Sequence, residues 1–418
     1  MQSLQAAILA VCAFASVARA EPPASGEPGA IFTLARALEL AERQSPLLEA
    51  AGAEGRAAAA ARTVAGLRPN PSLSFEMENF GGRGDYRGTR SAEGTVSFGL
   101  PLELGGKRSA RLAAADAGLG QVAIAGANAE ADLKLAVTEN YALALAAGKR
   151  LAVARDEARI AAEGLRAAKL RVEAGRASPI EAQRAELARI NADAAVESAA
   201  RAETVARLAL ARLVGAPWDG RLDSAWFAAA PAWNKREASG SLALAAAQSE
   251  VALAEAGVRL AHSQRVPDLT LSVGARRFAE SDSNAALVSL SLPVPLFGNG
   301  RAALEQARAE RQAAEARSRH AGLQLEQEVE RAQAEAETAA AIAGTATGPA
   351  LAAAEESARI ARIGYANGKF GQLDLLEAER ALSETRARAI DAQLATHIAV
   401  ARLERLTARA PAQSGNSQ

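Results

Sequence analysis

Between residues 71 and 80, PSLSFEMENF, apolar and polar positions alternate. Leu73, Phe75 and Met77 fall on one side, and Ser72, Ser74, Glu76 and Glu78 on the other. That is the period of a strand with one apolar face. Three further segments repeat it. Residues 93–104 align Val96, Phe98, Leu100 and Leu102; residues 267–278 align Leu269, Leu271 and Val273; residues 286–296 align Val288, Leu290, Leu292 and Val294. The turns NFGGRGDYRGTR and AESDSN join them in pairs. Elsewhere the spacing is helical. It predicts short helices over 33–66 and 240–264, each ahead of a strand pair, and long ones over 108–174 and 301–367 after it. Each long helix ends at a glycine, Gly175 or Gly368, which suits a left-handed closing position. A second helix then returns, over 178–214 or 371–409. Ser178 followed by Pro179 is a start signal for the first return helix, and Ser45 with Pro46 interrupts the first short helix.

The two halves are copies of one unit. RVEAGRASPIEAQRAEL (171–187) aligns with GYANGKFGQLDLLEAERAL (364–382), and both strand pairs align at a similar offset of about 193 residues. Each long helix spans 67 residues, about 100 Å. Each folds back on its return helix as an antiparallel hairpin. Along the first, Leu112, Leu119, Val122, Leu133, Val137 and Tyr141 recur at steps suited to coiled-coil-like packing. The second is more polar, as expected of a helix wetted along its length. Residues 215–239 hold Trp218, Trp226 and Trp233 and read as an inter-repeat linker packed on the outside of the helices; residues 410–418 read as a disordered tail.

Ten residues tilted by about 45° rise roughly 23 Å, near the apolar band of an outer-membrane barrel. Four strands leave two open edges, which lipid does not tolerate. Several chains must therefore pool their strands, and three chains give twelve. Strand chemistry alone does not choose three over two or four.

Composition sharpens the picture. Hydrophobic residues make up 49% of the 418 but aromatics only 4%, so alanine fills much of the interior. Close-packed helices fit that better than a core of large side chains. Forty-eight acidic and 48 basic residues are interleaved, with no basic stripe for nucleic acid. Residues 1–20 read as a secretory signal, with AAILAVCAFASV ahead of ARA, although MQSLQ lacks a basic residue. Cys12 lies inside that signal in a poor lipidation context, so cleavage after Ala20 leaves a chain without thiols.

The duplication, the four strands, the paired long helices and the Gly-centred turns resemble the TolC-like outer-membrane efflux channels over nearly the whole mature chain. PNPSLSFEMENFGG followed by LPLELGGKR resembles the CzcC-like branch, which exports cobalt, zinc and cadmium. The resemblance implies a mainly α fold with a transmembrane β part. Helical hairpins would form a periplasmic α-barrel, and a homotrimer would complete a 12-stranded β-barrel in the outer membrane of a Gram-negative bacterium. It implies a passive conduit, not an enzyme, docked by a periplasmic adaptor and an inner-membrane RND pump. The adaptor-docking tips would comprise Arg171, Gly175 and Ser178 in the first copy. In the second they would comprise Arg362, Gly364, Tyr365, Gly368, Leu373 and Asp374. The first copy departs more from the family's tip motif, with Val172 in place of Tyr365 and Pro179 in place of Gln372.

Glu355, Glu356, Arg359 and Arg362 approach the second tip and are candidates for a charged periplasmic gate. Ordinary surface pairing at helical spacing is the simpler reading and is preferred. Glu76 and Glu78 face a barrel lumen if the strands close into one, or are plain solvated strand residues. No cofactor or metal site is expected: His262, His320 and His397 stand far apart, and transition-metal sites need converging nitrogen or sulfur ligands. GGKRS at 105–109 lacks the upstream glycine of a phosphate loop and reads as a strand-to-helix turn. Two alternatives remain open. One is a channel for drugs or general solutes. The other is a soluble periplasmic coiled-coil scaffold or adaptor, although an adaptor would carry one helical hairpin rather than two.

Overall fold

A computed structural model describes residues 31–216, 218, 220–231 and 234–411. The expected signal segment with Cys12, Trp233 and most of the expected tail lie outside the described residues. The chain opens with β1 (Ile31–Phe32) and α1 (Leu34–Gln44), followed by α2 (Pro46–Ala65). The expected helix 33–66 is thus two helices. Ser45 leaves the helical region and its hydroxyl accepts from Leu48 N at 3.4 Å, while Pro46 opens α2 where its missing N–H costs nothing. Then come β2 (Ser72–Glu78), β3 (Glu93–Leu102), α3 (Lys107–Glu173) and α4 (Pro179–Val214). The linker forms β4 (Arg221–Leu222) and α5 (Ser224–Ala228). The second unit follows as α6 (Leu242–Ser263), β5 (Leu269–Phe278), β6 (Ser283–Ser291), α7 (Arg301–Thr347), α8 (Pro349–Ala366) and α9 (Gln372–Leu406).

Two expectations are corrected. The helix expected to run unbroken over 301–367 divides at Gly348, whose backbone leaves the helical region (φ −98°, ψ −106°). Pro349 is the cause: it has no N–H to continue the ladder, and its ring excludes the carbonyl one turn back. Its counterpart α3 carries no proline and runs 67 residues without a break. The last strand, expected over 286–296, instead spans Ser283–Ser291. Pro293 and Pro295 cannot donate to a ladder, so Leu292 and Val294 lie beyond the sheet, still exposed. Pro71 and Pro267 trim the starts of β2 and β5 in the same way.

The two hairpins fuse into one antiparallel sheet of order β2-β3-β5-β6. The joint is β3–β5, which pairs residues 93–102 of the first unit with 269–278 of the second. Register sorts the side chains. Leu73, Phe98, Val273 and Val288 stand in one row on one face, and Glu76, Thr95, Arg276 and Ala285 in a row on the other. The apolar face is open in the single chain, with Leu73 76% and Val288 72% exposed. Strands β2 and β6 are the two edges.

The largest buried side chains gather midway along the helices, around the linker. Tyr141 of α3 and Phe227 of α5 are fully buried. The Tyr141 hydroxyl donates to Phe32 O at 2.7 Å and accepts from Asp223 N at 3.1 Å, tying together β1 and the start of α5. Trp218 stacks on Phe32 at 4.8 Å. His397 of α9 sits with Nε2 3.0 Å from Phe227 O and stacks on Trp226 at 4.2 Å; burial pushes its imidazole below the usual range. His397 thus pins the linker to α9. Tyr141→Phe removes both hydroxyl bonds and leaves two backbone groups without that partner. We expect a loss of about 1–3 kcal/mol, read as a lower thermal midpoint, with the fold retained.

Candidate functional site

The end of the molecule far from the sheet is built by the two helical turns. Both close in the same way. Gly175 (φ 66°) donates to Val172 O at 3.0 Å, and Arg176 N reaches Arg171 O at 2.8 Å. Gly368 (φ 69°) donates to Tyr365 O at 3.0 Å, and Lys369 N reaches Gly364 O at 2.8 Å. This pair of hydrogen bonds around a left-handed residue is the Schellman closure, which favours glycine. The duplication therefore holds at the level of single hydrogen bonds. The return helices start differently. Asp374 accepts from Gly371 N at 2.8 Å and caps α9. Ser178 occupies the cap position of α4, but its hydroxyl makes no cap bond.

The two tips are coupled through Glu181. Its carboxylate accepts from the Tyr365 hydroxyl at 2.5 Å, and its carbonyl accepts from Gln372 Nε2 at 2.9 Å. Arg171 Nε lies 3.4 Å from the same carboxylate, close enough to pair but not aligned for a hydrogen bond. The Arg171 guanidinium also sits 4.7 Å from the centre of the Tyr365 ring, within cation–π reach. Burial, then the bond to Glu181, pushes the Tyr365 phenol up to about 12. It is therefore a neutral donor at physiological pH. Gly364 makes room for the ring of Phe370: a Cβ there would stand 2.0 Å from a ring carbon. Gly364→Ala must displace Phe370 and loosen the second tip. We expect about 1–3 kcal/mol of destabilisation and faster proteolytic nicking near residue 368. Gly55→Ala, with open space around it, is the neutral control.

Of the nine expected tip residues, the structure brings Arg171 and Tyr365 onto Glu181. Gly175, Gly364, Gly368 and Asp374 shape the turns, and Leu373 is exposed at the tip, 60% in the single chain. Arg362 instead bonds Glu379 of α9 through both Nε and Nη2, the latter at 2.8 Å. The four gate candidates do not form one cluster. Glu356 and Arg359 make a bidentate pair, both bonds 2.7 Å, along the surface of α8. Glu355 faces Arg386 of α9 at 3.6 Å, and Arg386 also holds Asp156 of α3 at 3.0 Å. Asp156 is bonded by Arg159 as well, and these partners hold its carboxyl below the usual range.

Sequence reasoning passed over Glu181 and Glu379, and marked Gln372 only as a position where the two tips differ. Ser178-Pro-Ile-Glu181 spells a capping box, a signal that marks Glu181 but assigns it to the wrong partner. At the other end, Glu76 and Glu78 lie on the polar face of the sheet, and Glu78 pairs with Arg276 at 3.3 Å. Among the described residues, no group of three or more His, Cys, Asp or Glu side chains is placed to hold a metal ion.

An amphipathic four-stranded sheet on a duplicated set of long helical hairpins, with coupled tips at the far end, defines a membrane-anchored channel protomer. The chain matches the outer membrane efflux protein family over residues 37–216 and 234–409 and belongs to it. It is 32% identical over 386 residues to the cobalt-zinc-cadmium resistance protein CzcC of Cupriavidus metallidurans, covering 90% of both chains. It is 30% identical over 280 residues to the nickel-cobalt-cadmium resistance protein NccC of Alcaligenes xylosoxydans xylosoxydans, covering 64% of this chain and 61% of the relative. The fold matches the outer membrane protein VceC of Vibrio cholerae with a TM-score of 0.74 at 20% identity, over 90% of this chain and 96% of that one. It matches CusC with a TM-score of 0.76 at 17% identity, over 90% and 92%. This is an outer-membrane efflux channel with a large periplasmic helical part, and its family is one of conduits rather than enzymes.

Proposed function

We propose that three copies form the outer-membrane channel of a tripartite system that exports divalent heavy-metal cations. In this reading the sheets join edge to edge, β6 of one copy beside β2 of the next, into a closed 12-stranded barrel. Closure removes the open edges, and the apolar face meets lipid. The helical hairpins continue the wall into the periplasm, and the tips meet a periplasmic adaptor that links the channel to an inner-membrane RND pump. Transport is passive here, driven by that pump. The observation that carries the conduit is the sheet, apolar on one face, polar on the other and open at both edges. Kinship with proteins named for cobalt, zinc, cadmium and nickel resistance supports the cargo.

The tip contacts suit a closed entrance. Arg171, Glu181 and Tyr365 hold the second hairpin to the first, while Arg362–Glu379 and Glu355–Arg386 brace α8 on α9. An adaptor that separates the tips must break the first set, and the exposed Leu373 offers it an apolar foothold.

The test is a susceptibility panel on cells lacking the protein, restored with wild type or with Gly368→Pro, which cannot adopt the left-handed turn. Sensitivity confined to zinc, cobalt, cadmium and nickel salts, rescued by wild type alone, is the expected result. Sensitivity to dyes and antibiotics instead would keep the channel and discard the metal cargo.

A further inference from the structure

The polar face of the sheet carries one guanidinium among three carboxylates. Arg276 of β5 reaches across two strands. Its Nε donates to Thr95 Oγ1 at 2.9 Å, its Nη1 to Glu93 Oε2 at 3.0 Å, and its Nη2 stands 3.3 Å from Glu78 Oε2. Asn79 Nδ2 donates to the other oxygen of Glu93 at 3.1 Å. Glu78 and Glu93 are direct cross-strand partners, where two like charges repel. Both belong to the end of the sheet remote from the helices, next to the β2–β3 and β5–β6 turns. In the closed barrel this is the outer mouth of the lumen.

Three oxygen ligands, two of them charged, therefore converge on one positive group. Without the guanidinium, Glu78, Glu93 and Thr95 make a set that suits a divalent cation, which takes carboxylate and hydroxyl oxygens with water completing the shell. A conduit for divalent cations is badly served by such a set at its exit, because a site that binds its cargo well releases it slowly. We propose that Arg276 is a specificity-determining residue: a tethered counter-ion that occupies the cation position between Glu78 and Glu93 and keeps the mouth from trapping its own cargo. Glu76, in the neighbouring row with Thr95 and Arg276, has no part in that set and leaves this patch of the polar face net negative. The lumen then attracts cations without holding them. This inference rests on the channel reading above.

The experiment uses the full-length oligomer extracted from membranes, with Mn2+ as the oxygen-site probe and Co2+ as competitor. Bound Mn2+ is counted from the loss of the free-ion paramagnetic resonance signal. Wild type is expected to bind no Mn2+ at the sheet. Arg276→Ala is expected to gain one Mn2+ per chain, with at least about tenfold more Mn2+ bound than by wild type at the same free concentration, since removing the guanidinium leaves the pair uncompensated. Co2+ should displace it, and Arg276→Ala with Glu93→Gln should lose it again. Arg276→Met keeps the aliphatic stem and gives the same reading if the alanine variant fails to assemble. Mn2+ binding by wild type at this site, or no gain in either variant, would overturn the proposal. Membrane fractionation of wild type separates the two readings: release by alkali without detergent would sink the channel, while Mn2+ counting still decides on Arg276. In a conducting barrel, millimolar Co2+ should block the Arg276 variants and spare wild type.

Discussion

Val288→Arg is expected to abolish insertion into the outer membrane, whereas Ser289→Arg, one residue along, leaves it intact. The two side chains point to opposite faces of β6. Val288 stands in the middle row of the apolar face with Leu73, Phe98 and Val273. Ser289 stands on the polar face beside Ser272. An arginine on the lipid face near the midplane costs about 2–4 kcal/mol per chain. In the proposed threefold assembly that becomes about 6–12 kcal/mol, comparable with the whole stability of a domain. On the lumen face the same side chain is hydrated and alters only the ions that pass. Outer-membrane fractionation with a heat-stability assay of the oligomer reads both. Equal loss in the two variants would mean that the sheet does not sit in lipid as register indicates.

Tyr365→Phe combined with Glu181→Gln is expected to raise the conductance of the isolated channel. The change removes the hydroxyl-to-carboxylate bond and the charge that draws in Arg171. Bonds to charged groups are worth about 1.5–3 kcal/mol. Shifting a mostly closed equilibrium by that amount raises its open fraction about tenfold to a hundredfold. The link should also be resistant to alkali. The Tyr365 phenol is pushed up from 10.0 to about 12, so the neutral donor is retained in the closed state beyond the pH where a free phenol ionises. The stabilisation is fully present below pH 10 and is lost as pH rises through about 12. Conductance that is unchanged in the double variant would remove the tip link from the closing mechanism. Glu356→Ala with Arg359→Ala should do little by comparison, because that pair lies along the exposed surface of a single helix.

Much of this architecture is legible in the chain because period and punctuation agree. Alternation identifies all four strands, and the left-handed glycines mark both tips. The rest depends on relations that a linear pattern does not carry. The β3–β5 joint brings together segments from different units, so no hairpin signal announces it. Pro293 and Pro295 sit in an apolar alternation that reads as strand, yet neither can donate to a ladder. The helical period runs straight through 301–367, and the break at Gly348 comes from Pro349, whose effect on the backbone a period does not carry. At the site, Tyr365 and Arg171 stood out through the family's tip motif. Their shared partner Glu181 did not, because Ser178-Pro-Ile-Glu181 is locally complete as a capping box. Only the neighbouring hairpin reveals where that carboxylate goes. In the charged stretch near Glu355, helical geometry leaves Glu356 with Arg359 along one helix and sends Glu355 and Arg362 to α9, partners that a linear pattern does not name.

The central claim is that this sheet is one part of a shared barrel, and the mass of the particle extracted from outer membranes tests it most directly. Native mass measurement in detergent should give three times the mass of one mature chain, with extraction requiring detergent. A particle of one chain, or release by alkali alone, would contradict the account and return the protein to the class of soluble coiled-coil scaffolds.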